Sequence, residues 1–332
     1  MSTNVRPTIE FVDPDLASAM ARNLARIEEL LTAELSVGED FVVDKVTHLA
    51  AAGGKRFRPM FALLAAQFGE RPDADEVIQA ATVVEMTHLA TLYHDDVMDE
   101  AERRRGVPSA NARWSNSVAI LAGDILLAHA SRVMAQLGTH TVAHFAQTFG
   151  ELVTGQMRET VGPEDRDRIE HYLAVVHEKT GVLISSAGYL GAYHSGAPAD
   201  VTEALREFGV NIGTVFQIVD DIIDIFSPSL TSGKTPGTDL REGVFTLPVL
   251  LALREEGPVG DELRGLLTGP LRDDAQVAHA LDLLERSHAK EEALTVVEKY
   301  RIAALAQVDR LPTGPATDAL RALTEYSISR LH

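Results

Sequence analysis

Apolar residues recur at three- and four-residue spacing along most of the chain. The runs are Leu16 to Leu35, Phe61 to Phe68, Val77 to Met98, Val118 to Leu137, Val142 to Met157, Tyr172 to Leu190, Leu205 to Phe226, Val277 to Leu284 and Leu294 to Val308. Each lays an apolar stripe along one face of a helix. No segment shows the strict alternation of a half-buried strand. Breakers separate the runs at Gly53-Gly54, Arg71-Pro72, Val107-Pro108, Gly162-Pro163, Gly196 to Pro198, Gly257-Pro258 and Thr313 to Pro315. Most links are short, so neighbouring helices are expected to pack antiparallel. The exception is Ser227 to Gly243, a polar stretch of glycine and proline that is a candidate lid. Thr180 to Ala199 is uncharged and long enough to cross a bilayer, but Gly181, Gly188, Gly191, Gly196 and Pro198 interrupt it. It reads as a buried helix and its turn. The pattern predicts an all-α chain folded as a single domain over 1–332, with roughly the first 12 residues flexible.

Two of these helices end in the same acidic spacing, Asp95-Asp96-Val97-Met98-Asp99 and Asp220-Asp221-Ile222-Ile223-Asp224. On a helix, residues i and i+4 stack on one face and i+1 flanks them, about 100° round. Carboxylates at the ends of apolar helices are costly unless a cation meets them. An oxygen-only donor set suits a hard cation such as Mg²⁺, which takes one or two carboxylates from each element and completes its shell with water and phosphate oxygens.

Composition narrows the classes. The 332 residues are 45% hydrophobic, enough for a large core. The net charge of -19 argues against nucleic acid as a partner and against anionic membrane surfaces. With no cysteine, disulfides, thiolate metal sites and cysteine nucleophiles are excluded, and a cytoplasmic location is expected. The N-terminus has no basic stretch followed by an apolar one, so no signal peptide is expected.

The basic clusters admit two readings each. Gly53-Gly54-Lys55-Arg56-Phe57-Arg58-Pro59 reads as a helix end, a turn and a new helix with proline in its first turn. It is either a solvated basic turn or a diphosphate cradle, with Lys55 and Arg58 adding charge to free helix N–H groups. Arg103-Arg104-Arg105-Gly106 is either a solvated helix end or a set of forked donors for phosphate beside three carboxylates. His88 is either a core histidine or a ligand-facing one. His94 is expected to steady the neighbouring Asp95, and Asp124 and Asp239 to be caps or hydrogen-bond partners.

Taken in order, GGKRFRP at 53–59, HLATLYHDDVMDEAERRRG at 88–106, Lys179-Thr180, FQIVDDIIDIF at 216–226 and GKTPGTDLREGVFTLP at 233–248 resemble the trans-isoprenyl diphosphate synthases, the polyprenyl synthetase family. The resemblance runs from Lys55 to the C-terminal region. It implies an antiparallel helical bundle around a deep central cavity, the isoprenoid synthase type I fold, working as a homodimer with the two acidic clusters facing each other. It implies head-to-tail condensation of isopentenyl diphosphate with an allylic diphosphate, farnesyl or geranylgeranyl, and transient membrane association as a lipid product leaves. The cofactor would be Mg²⁺, about three ions per site with substrate bound. Asp95, Asp99 and Asp220 would hold metal, with Asp96, Asp221 and Asp224 completing the clusters. Lys55, Arg58, His88 and Arg105 would hold isopentenyl diphosphate. Arg104, Lys179, Gln217 and Lys234 would contact the allylic diphosphate, with Thr180 and Gln217 near the developing cation. The chain departs from the family pattern at Val244, where a lysine is usual, and in a C-terminus without the fuller basic tail of some relatives.

The same resemblance frames product length. Positions four and five before Asp95 are Thr91 and Ala90, which lie roughly 6 to 8 Å deeper along the helix. Bulky aromatics there stop elongation early in short-chain relatives. Small residues leave the tunnel open, which favours a long-chain product, heptaprenyl to decaprenyl, for quinone side chains. The alternatives are a geranylgeranyl diphosphate synthase, whose floor would lie deeper, a class I terpene cyclase, and a noncatalytic subunit of a heteromeric synthase. The fully acidic second cluster weighs against the last two.

Overall fold

The computed structural model describes residues 11–227 and 236–331. Among them the chain is helical almost throughout, as the periodicity predicts. It divides into two compact units, one made of Met1–Gly150, Leu183–Glu207 and Arg310–Leu320, the other of Glu151–Val182, Phe208–Asp309 and Arg321–His332.

In the first unit the principal helices are α1 (Pro14–Leu35), α4 (Phe57–Ala66), α5 (Asp75–Met98) and α7 (Asn116–Leu137), with short α2 (Asp40–Val46), α3 (His48–Ala51) and α6 (Ala110–Arg113) between them. Asp13 caps α1 by accepting the Leu16 N–H at 2.8 Å, and Pro14 occupies its first turn. α5 packs along α7 and against α4 and α1. Their shared core includes Val83, Met86, Leu89, Ala90, Tyr93, Ala122 and Leu126, all nearly sealed from solvent. α8 (Thr139–Val161) follows α7 directly.

The run from Tyr172 to Leu190 is divided. α9 (Arg168–Val175) passes into a π-helical turn, Val176–Gly181, and then into α10 (Val182–Ser195). α10 is buried along most of its length, as its glycines suggested. A Cβ at Gly191 would stand 2.0 Å from the Ala62 carbonyl oxygen, so only glycine lets α10 lie this close to α4. α7 is long and apolar enough to span a bilayer by length and composition alone, yet its apolar face is spent on α5.

The second unit is built on the later part of α11 (Ala199–Phe226), followed by α12 (Thr238–Glu242), α13 (Leu247–Arg254), α14 (Pro258–Leu266), α15 (Asp274–Glu285) and α16 (Ala289–Val308), with the later part of α17 (Pro315–Ser329) from Arg321 on. α13 packs against α16, α14, α9 and α15. Its core gathers Ile225, Leu240, Val249, Leu263, Leu283 and Leu284.

Two sequence expectations change here. Arg103-Arg104-Arg105 does not end a helix. α5 stops at Met98, and Arg103–Arg104 pairs antiparallel with Val107–Pro108 around Arg105-Gly106. Both turn residues have positive φ, 52° and 79°, the geometry that matches the twist of a two-residue hairpin. The segment after the second acidic cluster contains a helix, α12. Residues 228–235, with the rest of the candidate lid, lie outside the described residues, as do the first ten expected to be flexible.

Candidate active site

In the first unit, α5 carries the acidic cluster in its last turn. Asp95 is half-buried, Asp99 is exposed as the helix C-cap, and Asp96 is fully buried. The i+1 position points into the protein, where Arg104 Nε donates to Asp96 Oδ1 at 2.6 Å. Burial pushes the Asp96 carboxyl up, and Arg104 pulls it back down. Its second oxygen, Oδ2, is buried without a hydrogen-bond partner. His94 turns its Nε2 to α7, 3.1 Å from the Ile120 carbonyl oxygen and 3.4 Å from Asp124 Oδ1. That nitrogen fixes α5 to α7 rather than steadying Asp95, and Asp124 is its partner.

About three turns earlier on α5, the basic residues gather around Glu85, a position the sequence did not single out. Gly53 closes α3 in the left-handed region, and Arg56, also left-handed at φ 50°, starts α4. Arg56 is buried. It pairs bidentately with Glu28 of α1 and donates through its NH1 group to Glu85 Oε1 at 2.9 Å. Arg105 reaches back from the hairpin to the Leu49 and Gly53 carbonyls, with its NH2 group 3.8 Å from Glu85 Oε1. Its guanidinium lies against Gly54, where a Cβ would be only 3.0 Å away. Burial lowers Arg58 to about 10, against the pull of Glu85, and its Nε has no partner. His88 is half-buried, and burial with the nearby Arg58 and Arg105 pushes its imidazole well below the ordinary range. Lys55 is exposed at the mouth of the turn. The structure thus gathers Arg58, His88 and Arg105 of the expected diphosphate set in one place. Thr91 is half-buried, with its hydroxyl on the His88 carbonyl at 2.9 Å, and Ala90 lies in the core shared by α5 and α7.

In the second unit α11 ends in the other cluster. Asp221, the i+1 residue, is again turned inward: Tyr172 OH donates to its Oδ2, and Gln217 Nε2 donates to its Oδ1 at 3.0 Å. Burial pushes the Asp221 carboxyl up to about 8, with Asp239 and Asp220 adding to the rise. Thr180, on the π-turn, donates to Gln217 Oε1 at 3.3 Å, so Thr180, Gln217, Asp221 and Tyr172 form one chain of hydrogen bonds. Lys179 donates to Glu159 at 2.5 Å. Asp224 accepts the Asp239 N–H at 3.2 Å, which gives Asp239 a structural part. Asp220 is paired with Arg330, whose guanidinium sits 4.7 Å over the Phe216 ring. Lys234 lies outside the described residues.

The donors fit a hard divalent cation. They are carboxylate oxygens alone, one of them buried and unpartnered at Asp96, and a guanidinium already stands as the cation on Asp220. Among the described residues no three such groups converge on one point. A metal held at either cluster would therefore take one or two carboxylates there and complete its shell from elsewhere.

Tyr172, Glu85, Arg56 and Arg330 were not read from sequence as site residues. A tyrosine in an apolar run, and single charges in helices, carry no local mark of their partners.

The polyprenyl synthetase family pattern matches residues 39–284, which span both acidic clusters and the arginine cradle. Nonaprenyl diphosphate synthase of Mycobacterium tuberculosis is 54% identical over 323 residues, covering 97% of this chain and 96% of that protein. Among solved structures, geranylgeranyl pyrophosphate synthase of Corynebacterium glutamicum, complexed with calcium and isoprenyl diphosphate, superposes with a TM-score of 0.90 at 63% identity, covering 97% of this chain and 99% of that one. A decaprenyl diphosphate synthase from Rhodobacter capsulatus superposes with a TM-score of 0.87 at 31% identity, covering 96% and 99%. With duplicated acidic helix ends, a cradle of arginines and relatives matched over nearly their whole length, the chain belongs to the polyprenyl synthetase family.

Proposed function

We propose that the chain is a trans-polyprenyl diphosphate synthase, a prenyltransferase that condenses isopentenyl diphosphate head-to-tail with farnesyl or geranylgeranyl diphosphate and ends at a heptaprenyl to decaprenyl product. The observation that carries this reading is the layout of α5. One helix holds a carboxylate cluster in its last turn and, about three turns earlier, borders a cradle of arginines with an unpartnered guanidinium nitrogen. That is a site for two diphosphates side by side, one met by cations held on aspartates and one met by arginines.

Asp95, Asp99, Asp220 and Asp224 are the residues that would hold Mg²⁺, which when bound would neutralise the allylic diphosphate as a leaving group. Asp96 and Asp221 act behind them, one locked to Arg104 and one to Tyr172 and Gln217. Lys55, Arg58 and Arg105 hold the isopentenyl diphosphate, and His88, kept neutral, borders it without adding charge. Cleavage of the allylic C–O bond gives a cation and pyrophosphate. The isopentenyl double bond attacks that cation, a new C–C bond forms, and the adjacent proton leaves to a pyrophosphate oxygen, so no side chain is needed as base. Thr180 and Gln217, fixed to each other and to Asp221, offer oriented dipoles to the passing positive charge.

Small residues at Ala90 and Thr91, and the kinship to a nonaprenyl synthase, support the long product. Kinship to a geranylgeranyl synthase supports a second reading, in which elongation stops at four isoprene units. The working form we propose is a cytoplasmic homodimer with one catalytic domain per chain, touching membranes only as product leaves. Mass spectrometry of products from isopentenyl and farnesyl diphosphates with Mg²⁺, against an EDTA control, tests the reading. A metal-dependent ladder ending at heptaprenyl or longer supports it; termination at geranylgeranyl selects the second reading, and no extension from any allylic primer rejects both.

A further inference from the structure

Glu85 stands among three arginines and is 2% exposed. Arg56 gives Nε and NH2 to Glu28 and only NH1 to Glu85, so the Glu85 carboxylate, besides pairing with Arg56, also offsets Arg105, 3.8 Å away, and Arg58, the two cations of the cradle. Arg105 is already positioned by the Leu49 and Gly53 carbonyls, and Arg58 keeps an unpartnered Nε. The carboxylate therefore holds the pair at partial charge without filling their donors. A buried charge is an expensive way to brace a turn, since a neutral amide would satisfy the 2.9 Å bond from Arg56 equally well. What an amide cannot supply is the negative charge.

Chain elongation gives that charge a use, and this step rests on the reading above. In each condensation the diphosphate that survives into the product is the one brought by isopentenyl diphosphate; the other departs as pyrophosphate. Before the next round the surviving diphosphate must leave the arginines and be presented to the aspartates at the end of α5. A cradle with its two guanidiniums, Arg58 and Arg105, uncompensated would retain it. We propose that Glu85 is a positioning residue that weakens the cradle's hold on diphosphate, so that a grown chain is handed on rather than trapped after one addition.

The test begins with inorganic pyrophosphate binding to metal-free protein in EDTA, by calorimetry. Glu85→Gln should bind it about tenfold more tightly than wild type, since a buried negative charge beside the anion is gone. Glu85→Asp should keep the wild-type affinity. A merely structural role predicts the opposite sign, because a disordered cradle binds more weakly. Arg56→Gln supplies a second arm should Glu85→Gln not fold: freed of Arg56, Glu85 offsets Arg58 and Arg105 more fully, and pyrophosphate should bind more weakly. In elongation assays Glu85→Gln should shift the products shorter, toward those of a single addition. Unchanged or weaker pyrophosphate binding in Glu85→Gln, or tighter binding in Arg56→Gln, overturns the proposal. Failure of wild type to elongate at all would instead overturn the synthase reading and leave the binding result to stand by itself.

Discussion

Replacing Arg330 by methionine should make the substrate-free protein bind divalent metal more tightly. Arg330 pairs with Asp220 Oδ1, the two side chains being 20% and 27% exposed, and its guanidinium lies 4.7 Å from the Phe216 ring centroid. A partly exposed ion pair is worth roughly 0.5–1 kcal/mol and the cation–π contact about as much again. Against this, its NH1 nitrogen is buried without a partner, which returns roughly 1 kcal/mol. The net hold on Asp220 is thus about 0.5 kcal/mol, or roughly twofold in affinity, that a metal must overcome to claim the carboxylate. Methionine keeps the volume over Phe216 and removes the charge. Electron paramagnetic resonance of free Mn²⁺ during titration of the substrate-free protein measures the effect, with Asp220→Asn as the control that abolishes the site. Equal or weaker Mn²⁺ binding in Arg330→Met would refute the view that this guanidinium competes for Asp220.

Asp95→Asn should lower turnover about a hundredfold or more while leaving the melting temperature nearly unchanged, because the residue is half-buried at a helix end; a near-normal rate at saturating Mg²⁺ would remove Asp95 from the metal set. Thr91→Phe should shorten the product by at least one isoprene unit in the mass-spectrometric assay, and an unchanged distribution would show that the growing chain does not pass this side of α5. His144 and His194 in the first unit are each lowered to about 4, chiefly by burial. The unfolded chain takes up protons below its ordinary value of 6.5 that the folded chain refuses until about 4, so their contribution is complete above pH 6.5 and is lost as pH falls through that window. The loss at pH 5 should be roughly 3 kcal/mol for the pair after discounting His144, which is partly open to solvent. The fall in melting temperature between pH 7 and pH 5 should flatten in the His144→Gln/His194→Gln double variant; an equal fall would place the pH sensitivity elsewhere.

Long apolar helices were legible from spacing alone, because α7 and α11 bury one face over six or more turns and α5 is buried on nearly every side through its middle. The short helices α13 and α14 were not, since eight or nine residues give too few repeats of the period to stand out. The hairpin at Arg103 to Pro108 escaped because its turn uses Arg105 at positive φ, where sequence rules look for asparagine or glycine. In the site, the three-aspartate spacing showed that i+1 diverges from i and i+4, but not that both i+1 carboxylates would be claimed by protein donors. Arg104 is close in sequence to Asp96, while Tyr172 is far from Asp221, and distant partners leave no trace in spacing. Glu85 was hidden in the same way: its meaning lies in Arg56 and Arg105, brought to it by two separate turns.

The π-turn at Val176–Gly181 sets an angular register. Tyr172 and Thr180 are eight residues apart, which in an unbroken α-helix is 800° of rotation and leaves them about 80° out of phase. One residue absorbed as a bulge makes the interval equivalent to seven α steps, 700°, and brings the two side chains within about 20° of the same face. Both then meet α11, Tyr172 at Asp221 and Thr180 at Gln217, one helical turn apart. Inserting a single residue between Tyr172 and Thr180 with the bulge kept would add one α step and swing Thr180 away from Gln217 by about 100°, whereas deleting the bulged residue would leave seven regular steps and the same register. For this helix, length counted in residues is itself a positional specification, and a one-codon insertion there should do more damage than a one-codon deletion of the bulge.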